Sequence, residues 1–443
     1  MRLTWLAGTV AVVALAGTSA ARQAQPAPRP APAAQPAPTK PGNPYLTETQ
    51  ALFDGYVASG KMPGIVGAFG VGDSPTQFVS AGRIADEASA PVADADTLWR
   101  IYSMTKPITG MAAMLLIQDG KLKLDDPLSK YFPEFARMRV LTSPDTSLDG
   151  VPARNPILIR HLLTHTAGLS YNVVAKGPLL KEYERLGILP GQVNTTLELQ
   201  ARSVRPKTLA EFARRVATLP LIAEPGTKWS YSIGLDVMGA VIEKASGVPF
   251  DTFVQTRLLD PLGMRSTYWS VPAGEARRLA TNYVFIGDTR NPLDRGDTSV
   301  YLSAPSFPYG GAGLVSTARD YDRFLHMLVN GGTLDGRQVM KPETVALALS
   351  NLLPPGVTFT NRGSTTKMGF GAGGSVYLAD APGGGGSKGT FGWGGAAGTI
   401  AWVDPVRKVR GTVMVQYFPD DKWPIRQDVP AALVRDAMRL HGK

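Results

Sequence analysis

Arg100-Ile-Tyr-Ser-Met-Thr-Lys-Pro107 organises the reading of this chain, because it sets Ser103 and Lys106 three residues apart at the mouth of a helix. Positions i and i+3 of a helix share a face, so the lysine amine lies within reach of the serine hydroxyl. A serine attacks a carbonyl poorly at neutral pH unless a base takes its proton, and Lys106 is the candidate base. Ile108, Met111, Ala112, Leu115 and Leu116 recur at helical spacing until Asp119-Gly120 closes the segment, which predicts a buried helix. Pro107 is tolerated near its start, where the first backbone N–H groups have no intrahelical acceptor. Ser103 then stands at the N-terminal end, where free N–H groups and the helix dipole favour negative charge.

The motif alone does not decide the matter, since the chain carries a second copy, Ser364-Thr-Thr-Lys367. That copy is followed by Met-Gly-Phe-Gly-Ala-Gly-Gly, which lacks helical periodicity and predicts a loop, and little chain remains after it for partner residues. On spacing alone, Ser103 is equally an N-cap serine beside a solvated lysine. The rest of the chain must choose.

Residues 1–21 read as a secretory signal: Arg2, an apolar run from Leu3 to Ala16, then small residues with cleavage expected after Ala20 or Ala21. The run is short for a bilayer span, although an uncleaved N-terminal anchor is the alternative. The absence of cysteine excludes both a lipid anchor at that site and any disulfide. The expected location is the bacterial periplasm or the exterior. Residues 22–44 form an Ala/Pro-rich linker with eight prolines between Pro26 and Pro44 and no acid, a composition that cannot bury a core. Residues 45–443 remain as the folded part, 399 residues long.

The net charge of +10 falls to +6 for that part, because Arg2, Arg22, Arg29 and Lys40 lie outside it and no acid does. Its cations are scattered and no RNA-type aromatic motif accompanies them, which excludes nucleic acid as the expected partner. A weak attraction to an anionic cell envelope is the residual expectation from charge.

Gly64–Val71 with Gln77–Ser80 predicts an early hairpin, and Thr399–Val403 with Gly411–Tyr417 a late one turning at Asp404-Pro405. Between them the chain is mostly helical and loop-rich. The expected fold is α/β in the α+β sense: an antiparallel sheet built from both chain ends, flanked by helices from the middle, with Ser103 where sheet and helical region meet.

Five phrases in this order resemble the serine β-lactamase and penicillin-binding-protein family, on its class C side, and its esterase branch: Trp99 to Lys106, Leu162 to Leu169, Pro225 to Ser232, Gly310 to Thr317 and Phe391 to Thr399. The resemblance covers most of residues 45–420. It implies a β-lactamase/transpeptidase-like fold and a serine hydrolase that works through an acyl-enzyme, without metal or cofactor. The family's Tyr-x-Asn triplet is matched by Tyr231-Ser232-Ile233 only at its first position. By that resemblance Tyr231 accepts the serine proton and returns it to the leaving group, helped by the charge of Lys106. The family's Lys-Thr-Gly or His-Thr-Gly edge strand is replaced by Trp393-Gly394-Gly395, as in related esterases, and the N–H groups of Ala396 and Ser103 are then the implied oxyanion donors.

The departures point to a substrate. An Asn that holds a drug's amide and a Lys that attracts its carboxylate are absent, and Ile233 and Trp393 can do neither. A pocket built with them favours an apolar, uncharged ester over an anionic lactam, because an unpaired carboxylate there is costly to desolvate. The expectation is an exported carboxylesterase acting on small or apolar ester or amide substrates. The alternatives are a β-lactamase or D-Ala-D-Ala carboxypeptidase, and a non-catalytic binder of envelope ligands on the same fold.

Other motifs are set aside. Ser170-Tyr171-Asn172 matches the class A Ser-x-Asn triplet, but no Lys-Thr-Gly accompanies it, and it is expected as a loop after a helix that lines the pocket. Gly385-Gly-Ser-Lys-Gly389 lacks the strand-turn-helix setting of a nucleophile elbow, which removes Ser387. Gly369-Phe-Gly-Ala-Gly-Gly374 matches a dinucleotide fingerprint without its βαβ unit and is expected as a loop or strand edge. His161 and His165 are spaced for a metal but lack a third ligand and a catalytic Glu, so a structural role is expected for His165. Asp125-Asp126-Pro127 reads as an acidic turn before a helix, and Thr317-Ala-Arg-Asp320 caps a helix ending near Asn330-Gly331.

Overall fold

Seven strands pair antiparallel in one sheet: β1 (Gly64–Val71), β2 (Gln77–Gly82), β3 (Met368–Phe370), β4 (Ser375–Tyr377), β5 (Phe391–Gly394), β6 (Ile400–Asp404) and β7 (Val409–Met414). Their order is β3-β4-β5-β6-β7-β1-β2, so the first strand hydrogen-bonds the last, with Val66 opposite Met414. The computed structural model describes residues 43–360 and 366–442. The predicted signal, most of the linker, and Ser364 of the second Ser-x-x-Lys copy lie outside the described residues.

The sheet is covered on both faces, and the two-residue period of a strand shows how. Val66 and Ala68 of β1, Ala401 and Val403 of β6 and Met414 of β7 enter one apolar core, while Ile65, Phe69, Ile400 and Val413 enter another. Helix α1 (Thr47–Ala58) and the C-terminal helix close the second core through Phe53, Tyr56, Ile425 and Val429. The first core holds α2 (Thr105–Gln118), α3 (Gly234–Ser246) and α4 (Ala318–Val329); the C-terminal helix is α5 (Ile425–Leu440). Helices from the middle of the chain were expected to flank the sheet. In the structure, helices from the two chain ends cover one face and mid-chain helices the other.

Helix α2 is buried on every side from Thr105 to Leu116. Each large aliphatic side chain so enclosed contributes roughly 1.5–3 kcal/mol of transfer free energy, which makes α2 the axis of the fold. Its close neighbour is the turn between β3 and β4: a Cβ on Gly110 would lie 2.1 Å from Ala372 O, and one on Gly373 would lie 2.4 Å from Lys106 O. The Gly369–Gly374 run therefore serves a hairpin pressed against the helix, as a strand edge and turn. The segment after Lys367, expected as a loop, forms β3 and β4.

The early hairpin and the Asp404-Pro405 turn stand as expected. Asp404 Oδ1 accepts the N–H groups of Val406 and Arg407, each at 3.0 Å, and so holds that turn closed. The late strand differs: β7 ends at Met414, and Tyr417–Phe418 pairs parallel with Tyr283–Val284 in a separate sheet. Strand β5 was expected at an edge and lies inside the sheet, yet its pairing with β4 stops at Gly392. Trp393 and Gly394 consequently keep one open side. Thr317 caps α4 as expected, its hydroxyl accepting Asp320 N–H at 3.0 Å.

Candidate active site

Ser103 sits on a single 3-10 turn, Tyr102–Met104, that joins the short strand Trp99–Arg100 to α2. Arg100, wholly buried, anchors that strand by donating from Nε to Asp294 Oδ2 at 2.8 Å and from NH2 to Ser299 Oγ at 2.9 Å. Tyr102 takes φ +40°, a left-handed angle that costs a non-glycine residue roughly 1–2 kcal/mol. Its surroundings hold it there: Tyr301 and Phe418 pack edge-on against its ring, and Asn282 Nδ2 donates to its hydroxyl at 3.0 Å. The turn presents the Ser103 side chain, which is half-buried, beside the first turn of α2.

Lys106 is entirely buried, and its Nζ donates to Ser103 Oγ at 3.2 Å and to Gly311 O at 2.7 Å. Tyr231 lies on the loop before α3, with its hydroxyl 2.6 Å from Ser103 Oγ. The Lys106 ammonium stands 4.7 Å from the centre of the Tyr231 ring. Residues read from two separate phrases of the sequence therefore converge, with Lys106 and Tyr231 both within hydrogen-bond distance of Ser103 Oγ.

The Tyr231 loop is fixed from below. His165 Nδ1 accepts Ser232 N–H at 3.2 Å, and its ring packs 4.8 Å from that of Tyr231. Burial, and after it the nearby Lys106, hold His165 well below the usual histidine range, so it is a neutral structural imidazole. His161 is likewise structural, accepting Leu158 N–H at 3.1 Å through Nδ1. Among the described residues no group of acids and histidines is arranged to hold a metal. Tyr171, from the Ser-x-Asn look-alike, stacks on Tyr231 with centroids 5.4 Å apart and lines the site as expected.

The end of β5 closes the other side. A Cβ on Gly395 would lie 2.5 Å from Ile101 O and 2.2 Å from Thr399 Oγ1, so only glycine lets this strand approach the Ser103 segment. Trp393 packs 6.0 Å from Tyr231, alongside Trp229, Phe359 and Phe370. Gly394 precedes a turn in which Ala396 is exposed, and the Ala396 N–H has no acceptor among the described residues. Ile233 departs from the expectation. It is fully buried at the start of α3, with its N–H on Ser170 O at 3.1 Å, and offers no wall to a substrate. The half-buried apolar surface here comes from Trp393 and Trp229, with Phe359 and Phe370 buried behind them.

Ser387 is buried in a turn, its N–H on Asp404 Oδ2 at 2.9 Å, away from any helix start. Asp125 pairs with Arg160, and Asp126 accepts from Lys130, as an acidic turn would. Asp236 is the site residue that the sequence analysis missed. It is buried in the first turn of α3, and its Oδ1 accepts Gly311 N–H at 2.9 Å. Its only signal is a lone acid within Gly234-Leu-Asp-Val-Met.

An oxygen nucleophile joined to a phenol and a buried ammonium, where an antiparallel sheet meets a helical region, defines a class: serine hydrolases of the β-lactamase/transpeptidase-like fold. The chain belongs to the β-lactamase family, whose model matches residues 49–433. Its relatives include esterase EstB of Burkholderia gladioli, 34% identical over 80% of this chain and 86% of that protein. Lovastatin esterase of Penicillium rubens is 32% identical over 72% of this chain and 80% of its own length. Among solved structures, EstCE1, described as a hydrolase with promiscuous acyltransferase activity, superposes with a TM-score of 0.70 at 27% identity, covering 88% of this chain and 98% of that one.

Proposed function

We propose that the protein is an exported carboxylesterase that cleaves small or apolar esters through an acyl-enzyme. The observation that carries this reading is the 2.6 Å contact between Ser103 Oγ and Tyr231 OH, with Lys106 Nζ 3.2 Å from the same oxygen. Tyr231, as a phenolate stabilised by the Lys106 ammonium, takes the Ser103 proton while Oγ bonds to the ester carbonyl carbon. The N–H groups of Ser103 and Ala396 hold the oxyanion. Its collapse expels the alkoxide, which takes the proton from Tyr231 and leaves as the alcohol. Water then repeats the sequence on the acyl-enzyme, with Tyr231 again accepting the proton and returning it to Ser103.

The half-buried Trp229 and Trp393, packed on the buried Phe359 and Phe370, support an apolar substrate, since they offer no cation to a lactam carboxylate. Relatives named as esterases support the same reading. Export rests on residues 1–21, and among the described residues no helix is long and apolar enough to cross a membrane. Fluorophosphonate labelling tests the nucleophile: wild type gains one adduct on Ser103, and Ser103→Ala gains none. Turnover of p-nitrophenyl butyrate exceeds that of nitrocefin. An undiminished adduct in Ser103→Ala would refute the assignment, and faster nitrocefin hydrolysis would make the protein a β-lactamase.

A further inference from the structure

Lys106 places an ammonium in a space that water does not reach, and both groups its Nζ touches, Gly311 O and Ser103 Oγ, are uncharged. A buried cation without a counter-charge is strongly disfavoured. None of the ion pairs among the described residues includes Lys106. Asp236 is a buried carboxylate that interacts with it electrostatically.

Gly311 is the hinge between them. Lys106 holds its carbonyl at 2.7 Å and Asp236 Oδ1 holds its N–H at 2.9 Å. The other carboxylate oxygen, Oδ2, is buried without a hydrogen-bond partner, and a Cβ on Gly311 would come within 2.5 Å of it. Any side chain at position 311 would thus press on the Asp236 carboxylate. Thr109 Oγ1, one turn along α2 from Lys106, donates to Gly310 O at 2.7 Å and completes the clamp. Asp236 lies in the first turn of the helix that follows Tyr231, so the Tyr231 loop and the start of α3 together bring the phenol and the counter-charge to the lysine of α2.

We propose that Asp236 is a positioning residue of this site: its ionised carboxylate, acting through Gly311, balances the charge of Lys106 and keeps that side chain aimed at Ser103. The inference rests on the serine-hydrolase reading of Ser103, Lys106 and Tyr231. The charged and titratable groups that face Asp236 are Lys106 from α2, Tyr171 from the loop stacked on Tyr231, and Tyr309 from the segment before Gly310. Both tyrosines are held above the usual phenol range, first by burial, and stay neutral across the working range. Burial pushes the Asp236 carboxyl up to about 6 against the opposing pull of Lys106. Below that pH the carboxyl takes a proton, Lys106 loses its counter-charge, and the nucleophile is no longer prepared.

The test measures the rate at which a fluorophosphonate labels Ser103 between pH 4.5 and 9, in the full-length wild type and in Asp236→Asn. Asparagine keeps the shape and the acceptor for Gly311 N–H but removes the charge. Wild-type labelling falls tenfold or more through an acid limb centred near pH 6. In Asp236→Asn that limb is absent, and labelling at pH 8 drops by ten- to a hundredfold while KM for a butyrate ester stays within threefold. An acid limb retained in Asp236→Asn overturns the inference. So does wild-type labelling that is flat from pH 5 to 7, a result that needs no variant to fold. Failure of wild type to label Ser103 at any pH sinks instead the serine-hydrolase reading beneath it.

Discussion

Asp236, held as a carboxylate at pH 8 where water does not reach, burdens the folded state. Its carboxyl titrates at about 6 in the fold against an ordinary 3.8, chiefly because of burial. A carboxyl raised on folding favours the native state while it is neutral. That contribution is complete below about pH 3.8, shrinks as pH rises, and is lost above about 6; the interval corresponds to roughly 3 kcal/mol. Asp236→Asn, permanently neutral, is therefore expected to melt a few degrees above wild type at pH 8 and level with it at pH 4, by differential scanning fluorimetry. A lower melting temperature at pH 8 would contradict this. Ser103, Lys106 and Tyr231 were legible because their chemistry fixes both residue type and flanking phrase. Asp236 was not, since an acid in the first turn of a helix is what the helix dipole favours on an exposed surface. Ile233 misled for the related reason that a position in a triplet says nothing of which way its side chain turns.

The hairpins were legible from alternation and from a turn residue that hydrogen-bonds its own backbone. Where β7 ends was not. Alternation runs on past Met414, with Val413, Val415 and Tyr417 all facing the same core, while the backbone changes partner, Gln416 O accepting Tyr283 N–H at 3.3 Å. Side-chain periodicity reports a face, and only backbone pairing defines a strand. The end of β5 carries the sharpest consequence at this scale. Gly395→Val would force a side chain against Ile101 O and Thr399 Oγ1, displacing the turn that presents the Ala396 N–H. Labelling of Ser103 is expected to slow by tenfold or more, with a loss of about 2–4 kcal/mol in urea unfolding from overpacking at the backbone. Activity indistinguishable from wild type would mean that the strand end does not hold the oxyanion.

That both chain ends share one sheet was readable because two hairpins with strand composition lie at the two ends of a helical middle. Which helices cover which face was not readable, because contacts such as that between Glu48 N–H and Asp436 Oδ1, at 2.8 Å, join residues 388 positions apart. Local periodicity holds no trace of such a pairing. A long separation, 88 positions, also underlies the buried pairing of Arg410 with Asp322 at 2.9 Å, which ties β7 to α4. Because α1 packs beside α5, and Arg439 NH2 donates to Pro44 O at 3.0 Å, the two ends of the described backbone lie close together in space. The chain can therefore be joined there and opened elsewhere. A circular permutant that joins residue 442 to residue 43 by a short Gly/Ser linker and begins at Asp288, in the exposed turn after Ile286, is expected to fold and to label on Ser103 at a rate near that of wild type. One opened at Ala396 keeps the same residues as the first permutant and is expected to lose labelling. The order in which the chain is threaded would then be an accident of ancestry, and the site a property of the fold.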